Sequence, residues 1–583
     1  MILSLPTLKI PRIWWILGGL FALTSLGSLL PASWFGIPEW RTELNDAGVP
    51  TGTMVAIQAR QSAEFLVCFW MMLFVGLWLA GHRVSRRHTR FIAVAFCVGV
   101  AFQALVALAL RDPEAVRRGT EHFGFFVNRN HHATLLAMGA LCGLGCVIQA
   151  VREKQIGLLV VTGLGTAVCV IAVFSWSVSR SGIMLVGVGS VIWLATLGPR
   201  YLGRHAVKVL ILAGLLAGGL VMLSESRAMQ RLETTVERTD GEMENIDFRV
   251  PTWLDTLEMI KEAPWTGVGA GQFAFIFPQY RDRTSVALNR ESVHPESDWL
   301  WMASEVGIPG SLALLGLVIA LAVHSYRRLR IGRGRAIRSA CLVAAFLVPL
   351  HGFFDVPGHR VALAWAASLL FVLSLPASDE LEPKLLGRRV RALYRIAGVG
   401  ILGAGVWLAS AVWFGAGNPR LLVADVACDE TMDQYREDQR LKALAQTEGR
   451  IYEPPAEEFD PLDKAYQGLK QATAVAPLDQ RLYLLGGSLG LFFEGQEQEV
   501  DKAFLILKKL NPTSVDLILK QASAWKGVDQ TRSKILWNEA LDLASNLEDR
   551  HPQLKGYRRQ VLARIKREAK GIPVVEEAVK SLE

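Results

Sequence analysis

The chain has 583 residues, 51% of them hydrophobic and 20% charged, with a formal net charge of +8. Stretches such as Phe91 to Leu110 and Ile156 to Phe174 carry no charge at all, and apolar runs of about 18 residues or more are read as bilayer spans. An ordinary soluble enzyme, a disordered scaffold and a disulfide-stapled secreted module are thereby excluded.

In chain order the hydrophobic pattern predicts eleven membrane helices, at 13–30, 65–80, 91–110, 132–151, 156–174, 182–197, 206–223, 305–325, 336–354, 361–376 and 392–414. The first follows Lys9 and Arg12 and is an anchor, since its apolar stretch is long for a cleaved leader and more spans follow. Six of the seven cysteines lie within apolar runs and behave as small hydrophobes, and no CxxC spacing suggests zinc. The expected fold class is therefore all-α and polytopic, with residues 1–415 as the membrane domain.

The short segments on one side of the spans, 198–208 and 326–338 among them, carry 22 Lys and Arg against four acids. This is the positive-inside pattern, so the basic excess expresses topology and implies no nucleic-acid partner. It places the N-terminus in the cytoplasm, and the odd number of spans places the C-terminus outside. The connection 224–304 then lies outside and is acidic, with fourteen Asp and Glu against eight Lys and Arg over 224–300. Within it, Trp253, Leu254, Leu257, Met259 and Ile260 recur at helical spacing, and Gly267-Val-Gly-Ala-Gly271 reads as a glycine turn after that helix. Residues 416–583 read as a soluble helical domain. Pro477 and Pro512 each close a helix 35 residues apart, near the period of tetratricopeptide helix pairs.

The spans are nearly free of charge, so polar groups at the outer boundary carry the chemical information. Five clusters stand there: Asn128-Arg129-Asn130-His131-His132, Ser179-Arg180-Ser181, Arg249, His294-Pro-Glu296-Ser-Asp298, and His351 with Asp355, His359 and Arg360. Guanidinium groups stay charged and bond phosphate oxygens in pairs, so several at one membrane face suit a diphosphate. A histidine can take the proton of an attacking hydroxyl near neutral pH. Arg129 and Arg180 also suit contacts with lipid headgroups. His131 and His132 diverge by about 100° on a helix and read as structural. His294, Glu296 and Asp298 match no metal signature, and neither metal nor cofactor is expected.

The ordered segments NRNHHATLL (128–136), SRSGIML (179–185), FRVPTWLDTLEMIKEAPWTGVGAGQF (248–273), HPESDWLWMASEVGIPG (294–310) and HGFFDVPGHRVALAW (351–365) resemble the superfamily of O-antigen ligases and Wzy-type O-antigen polymerases over about residues 1–415. The resemblance implies a metal-independent membrane glycosyltransferase that moves a glycan from undecaprenyl diphosphate to an acceptor hydroxyl on the periplasmic face. By motif, Arg180 and Arg249 would grip the diphosphate and His294 would be the base. Arg129, Arg281 and Arg283 are further diphosphate candidates; Asn128, Asn130, Glu296, Asp298, His351, Asp355 and Arg360 are supporting ones. The family's His-Asn or His-x-His-Asn is replaced here by His294-Pro-Glu-Ser-Asp298. The acceptor, a glycan end, a lipid or a protein, stays open, as does recruitment of protein partners by the C-terminal domain. The competing classes are a polyprenyl-lipid glycan flippase or transporter and a membrane-anchored scaffold.

Overall fold

The computed structural model describes residues 10–82, 84–112, 123–177, 179–197, 249–282, 292–329, 333–376, 387–414, 420–448, 461–551, 554 and 556–568. The expected span at 206–223, much of the 224–304 connection and Arg283 lie outside the described residues. Among those described, the chain is helical, with two isolated β-bridges.

The helices that build the bundle are α1 (Arg12–Ser25), α2 (Glu39–Asp46), α3 (Ala59–Ala80), α4 (Arg86–Ala109), α5 (Arg129–Glu153), α6 (Ile156–Ile171), α7 (Arg180–Leu197), α8 (Arg249–Glu262), α9 (Asp298–Arg328), α10 (Arg335–His351), α11 (Val361–Ser374) and α12 (Arg388–Phe414). A helix therefore stands at ten of the eleven positions read from the apolar pattern. By length and composition, eight described helices are able to cross a membrane. Their outer faces carry exposed Phe91, Phe102, Ile156, Leu164 and Ile396, as helices do when lipid replaces water as the solvent.

The bundle is organised around α5, 83% of whose apolar window is buried against 11–39% for the other candidate spans. Small residues make that central position possible. A methyl group on Gly145 would come within 2.5 Å of Ala340 on α10. The α5 helix begins at Asn128, whose side chain accepts from the Asn130 amide at 2.8 Å, and ends at Lys154 in a left-handed conformation.

Helix α9 is two helices joined at Gly307 (φ 77°, ψ 170°), with Pro309 just beyond. The break frees carbonyls at membrane depth, which must find donors. They find them in the glycine turn: Val268 and Gly269 amides donate to Ser304 and Glu305 at 2.8 and 3.1 Å, and the Ile308 amide donates to Pro264 at 2.8 Å. Only glycine fits on both sides of this interlock. A Cβ on Gly307 would meet the Trp265 carbonyl oxygen at 2.4 Å, and one on Gly267 would meet the Glu305 backbone at the same distance. The glycine turn after α8 is thus a splint for the kinked α9.

The C-terminal segment forms α13 (Arg420–Thr447), α14 (Pro461–Val475), α15 (Gln480–Gly490), α16 (Glu497–Leu510), α17 (Val515–Trp525), α18 (Gln530–Arg550) and α19 (Tyr557–Glu568). Its middle helices share one apolar core with the membrane domain. Leu44, Val49, Met259, Phe273 and Phe277 pack with Tyr483, Phe504, Leu507 and Trp525. Polar contacts frame the seam: Gln279 donates to the Lys509 and Leu510 carbonyls, and Asp282 pairs with His551 and Arg550, both at 2.9 Å. The C-terminal helices therefore sit at the same end of the bundle as α2, α8 and the start of α9.

Candidate functional site

Several helix N-termini meet at this end, and their starting residues are the polar clusters seen in the sequence. Arg129, Arg180 and Arg249 are the first residues of α5, α7 and α8, and Arg360 is the N-cap of α11. A helix N-terminus presents amide donors and a partial positive charge, which suits an anion.

The hub is Asp355, fully buried in the turn between α10 and α11. Its carboxylate accepts from Asn130 Nδ2 at 2.8 Å and from the Val356 amide at 2.7 Å, and it pairs with His131 Nε2 at 3.0 Å. Burial by itself would raise the Asp355 carboxyl, but the hydrogen bond and charge of His131 outweigh it and hold the group well below the usual carboxylate range. His351 lies 3.8 Å from the same carboxylate and its Nδ1 meets Thr134 Oγ1 at 2.9 Å. Asn130 also accepts from Ser179 at 2.8 Å, and Ser179 meets Ser181 at 2.9 Å. Arg249 is near enough to His351 for its charge to act there, and Trp253 of the same helix packs toward Phe354.

A second carboxylate, Asp298, closes the ring. It accepts from the Gly358 amide at 2.7 Å and from the His359 amide at 3.2 Å, and it meets His359 Nδ1 at 2.5 Å. Its own amide donates to the Gly352 and Asp355 carbonyls, and Ser297 caps α9 and donates to Gly352. His359 stacks on Trp301 at 3.9 Å between ring centroids, and His294 tilts against the same indole at 5.5 Å. Three rings thus stand together, with the charge of Arg360 reaching His294.

His294 is mostly buried, with Nδ1 3.6 Å from Glu296 Oε1. Burial first, then the positive charge of Arg360, lowers its imidazole to about 4; Asp355 opposes this, and His131 and His359 add to it. At neutral pH the ring is therefore neutral, the form able to accept a proton. Glu296 holds φ at +52°, a left-handed conformation that is uncommon for a residue with a side chain and that collects at functional sites.

All five sequence clusters thus converge on one locus. Arg281, expected as a further diphosphate ligand, lies elsewhere: it is buried at the seam, its carbonyl accepts from Thr513 and its charge acts on Tyr557. Asn128 serves as the α5 cap. His131 and His132 diverge as helix geometry requires, with different outcomes. His131 belongs to the Asp355 hub, whereas His132 packs edge-on against Trp176 at 4.8 Å and meets Ser177 at 3.3 Å.

Sequence reasoning missed Thr134, Trp301 and Glu305. Glu305 lies wholly buried in α9, where its carboxyl gathers the Gly271 and Phe273 amides and the Trp301 indole at 2.8, 3.1 and 2.8 Å. An acid at the head of an apolar run was the available signal. Among the described residues, no group of three or more His, Cys, Asp or Glu side chains is placed to hold a metal ion.

The O-antigen ligase family matches residues 165–315. This stretch holds Arg180, Arg249, His294 and Asp298, while Asn130, His131, His351 and Asp355 come to them through the fold. No curated protein matches the chain. Residues 165–315 are thus similar to the O-antigen ligase family within a helical chain that has, among its described residues, eight helices long and apolar enough to cross a membrane.

Proposed function

We propose that the protein transfers a glycan from a polyprenyl diphosphate, of the undecaprenyl type, to an acceptor hydroxyl at the outer face of the bacterial inner membrane. The observation that carries this reading is neutral His294 within reach of the Arg360 charge, at the end of the bundle where Arg180 and Arg249 begin their helices. In the reaction the acceptor oxygen attacks the anomeric carbon and gives its proton to His294. The bond from that carbon to the diphosphate oxygen breaks, and the electron pair leaves with the diphosphate. Direct attack inverts the anomeric configuration.

The energy already resides in the sugar-phosphate bond, so the protein must position the groups, accept one proton and balance the leaving charge. Arginines at helix N-termini serve the last task. An apolar cavity of about 270 Å³ runs from Asp298 and His359 between Phe69, Leu73, Leu317 and Phe371, and suits the start of a polyprenyl chain. Glu296 stands where it can orient the His294 ring. The basic helix ends at Arg86, Arg152 and Arg335 lie opposite the site, which supports a cytoplasmic face there; the reading keeps a cytoplasmic N-terminus, eleven spans and an outer, tetratricopeptide-like C-terminal domain that guides the glycan or recruits protein partners.

The test is transfer of a defined lipid-linked glycan by purified protein, with His294→Ala and His294→Gln beside wild type. Loss of transfer in both with donor binding intact supports the reading. Movement of the lipid across a vesicle membrane without transfer would assign the protein to the flippases instead.

A further inference from the structure

The opposite end of the bundle holds another cavity, of about 510 Å³, between α4, α5 and α10. Among the described residues Arg86, Arg87, Arg90, Arg333 and Arg338 line it, with Glu153 as the one acid. An adjoining cavity of about 280 Å³ shares Arg86, Glu153 and Arg333 and adds Arg152 and Arg335. Since α5 is about 37 Å long at 1.5 Å per residue, this region is far from His294.

The positive-inside rule asks only that basic residues lie in the loops on one side. It does not ask that they converge on a cavity. Here the single acid is already engaged: Glu153 accepts from Arg86 at 2.6 Å, Arg90 at 2.8 Å and Gln149 at 2.5 Å. The helix ends worsen the balance. The first turns of α4 and α10 carry arginines and no acid, and Gly334, the N-cap of α10, has no side chain to cap it. Arginine beside the positive end of a helix is unfavourable unless an anion sits between. Arg338 donates to the Ser374 and Arg328 carbonyls and Arg335 to the Thr196 carbonyl, contacts that fix these side chains without neutralising them, so among the described residues seven guanidinium groups surround two joined cavities with one carboxylate.

We propose that this pocket binds a phosphate-bearing anion, and that the arginine set recognises its phosphate oxygens in pairs. The phosphate belongs either to the headgroup of an anionic phospholipid entering from the adjacent leaflet or to a free phosphate. The site is independent of glycan transfer.

The test uses the full-length protein in detergent, titrated with phosphatidylglycerol or phosphatidylcholine, and with inorganic phosphate in a separate arm. Thermal unfolding and native mass spectrometry report binding. Arg87 and Arg333 are exposed at the cavity, so Arg87→Gln with Arg333→Gln should weaken phosphatidylglycerol binding about tenfold, and the paired Lys variants should retain part of it. Arg388→Gln with Arg389→Gln, two exposed arginines on the same side outside the cavity, should leave it unchanged. Competition by millimolar inorganic phosphate identifies free phosphate as an occupant, and its failure to compete identifies the lipid. No preference for phosphatidylglycerol together with no phosphate binding, or an equal loss from the two arginine pairs, overturns the proposal.

Discussion

The two ends of α5 solve opposite electrostatic problems. At the end beginning with Asn128, buried carboxylates are held by neutral or cationic partners, so that Asp355 and Asp298 act as struts. At the Glu153 end, arginines outnumber the single acid and gather round open cavities. Arginines head helices at both ends, and at the first the buried, neutral His294 lies within reach of the Arg360 charge. The difference teaches that basic residues alone do not mark a transfer site. What distinguishes the proposed transfer site is a neutral histidine near them, on a scaffold of satisfied buried carboxylates.

The largest expected effect comes from removing that acceptor. His294→Ala should lower transfer by about 10²–10⁴-fold, the usual contribution of a general base, with donor affinity changed little; turnover at saturating donor is the readout. Next is the strut. Asp355→Asn leaves His131 and Asn130 facing a neutral amide in a buried site and should cost about 3 kcal/mol, read as a lower unfolding temperature in detergent, whereas the same change at exposed Asp433 should be silent.

Gly307→Ala should cost a similar or smaller amount, because the left-handed backbone and the 2.4 Å approach to Trp265 both exclude a methyl group. Arg180→Lys and Arg249→Lys should each weaken donor binding about tenfold, since lysine offers a point charge where arginine offers a fork. Wild-type affinity in both would reduce them to headgroup anchors.

The smallest effect is in pH. His294 titrates at about 4 in the folded protein against 6.5 ordinarily. Because its folded value is depressed, the neutral, proton-accepting ring persists as pH falls from 7 to about 5, and activity should halve only near 4. The same depression means that the unfolded chain binds the proton first, so stability should begin to fall below 6.5 and continue falling to about 4. A rate that halves near 6.5 would show a solvated histidine.

Much of this arrangement is written in local pattern. The spans follow from apolar runs, the helix over 249–262 from the spacing of Trp253, Met259 and Ile260, and the outer clusters from the cost of polar groups beside hydrocarbon. What is not local could not be read. Asp355 gains its place from Asn130 and His131, more than 220 residues away in sequence. The pairing of Gly267 with Gly307 depends on a kink whose freed carbonyls need donors from another element. Arg281 precedes His294 in the same connection, yet the apolar seam with the C-terminal helices draws it away from the site.

The most direct test of the account is single-turnover transfer from a lipid-linked glycan by the His294→Gln variant. Glutamine keeps a hydrogen-bonding group beside Trp301 and Glu296 but cannot take up the acceptor's proton. The account predicts that bound donor is retained and transfer falls at least a hundredfold. Near-normal transfer would contradict it, and would move the proton acceptor to the Asp298–His359 pair or to Glu296.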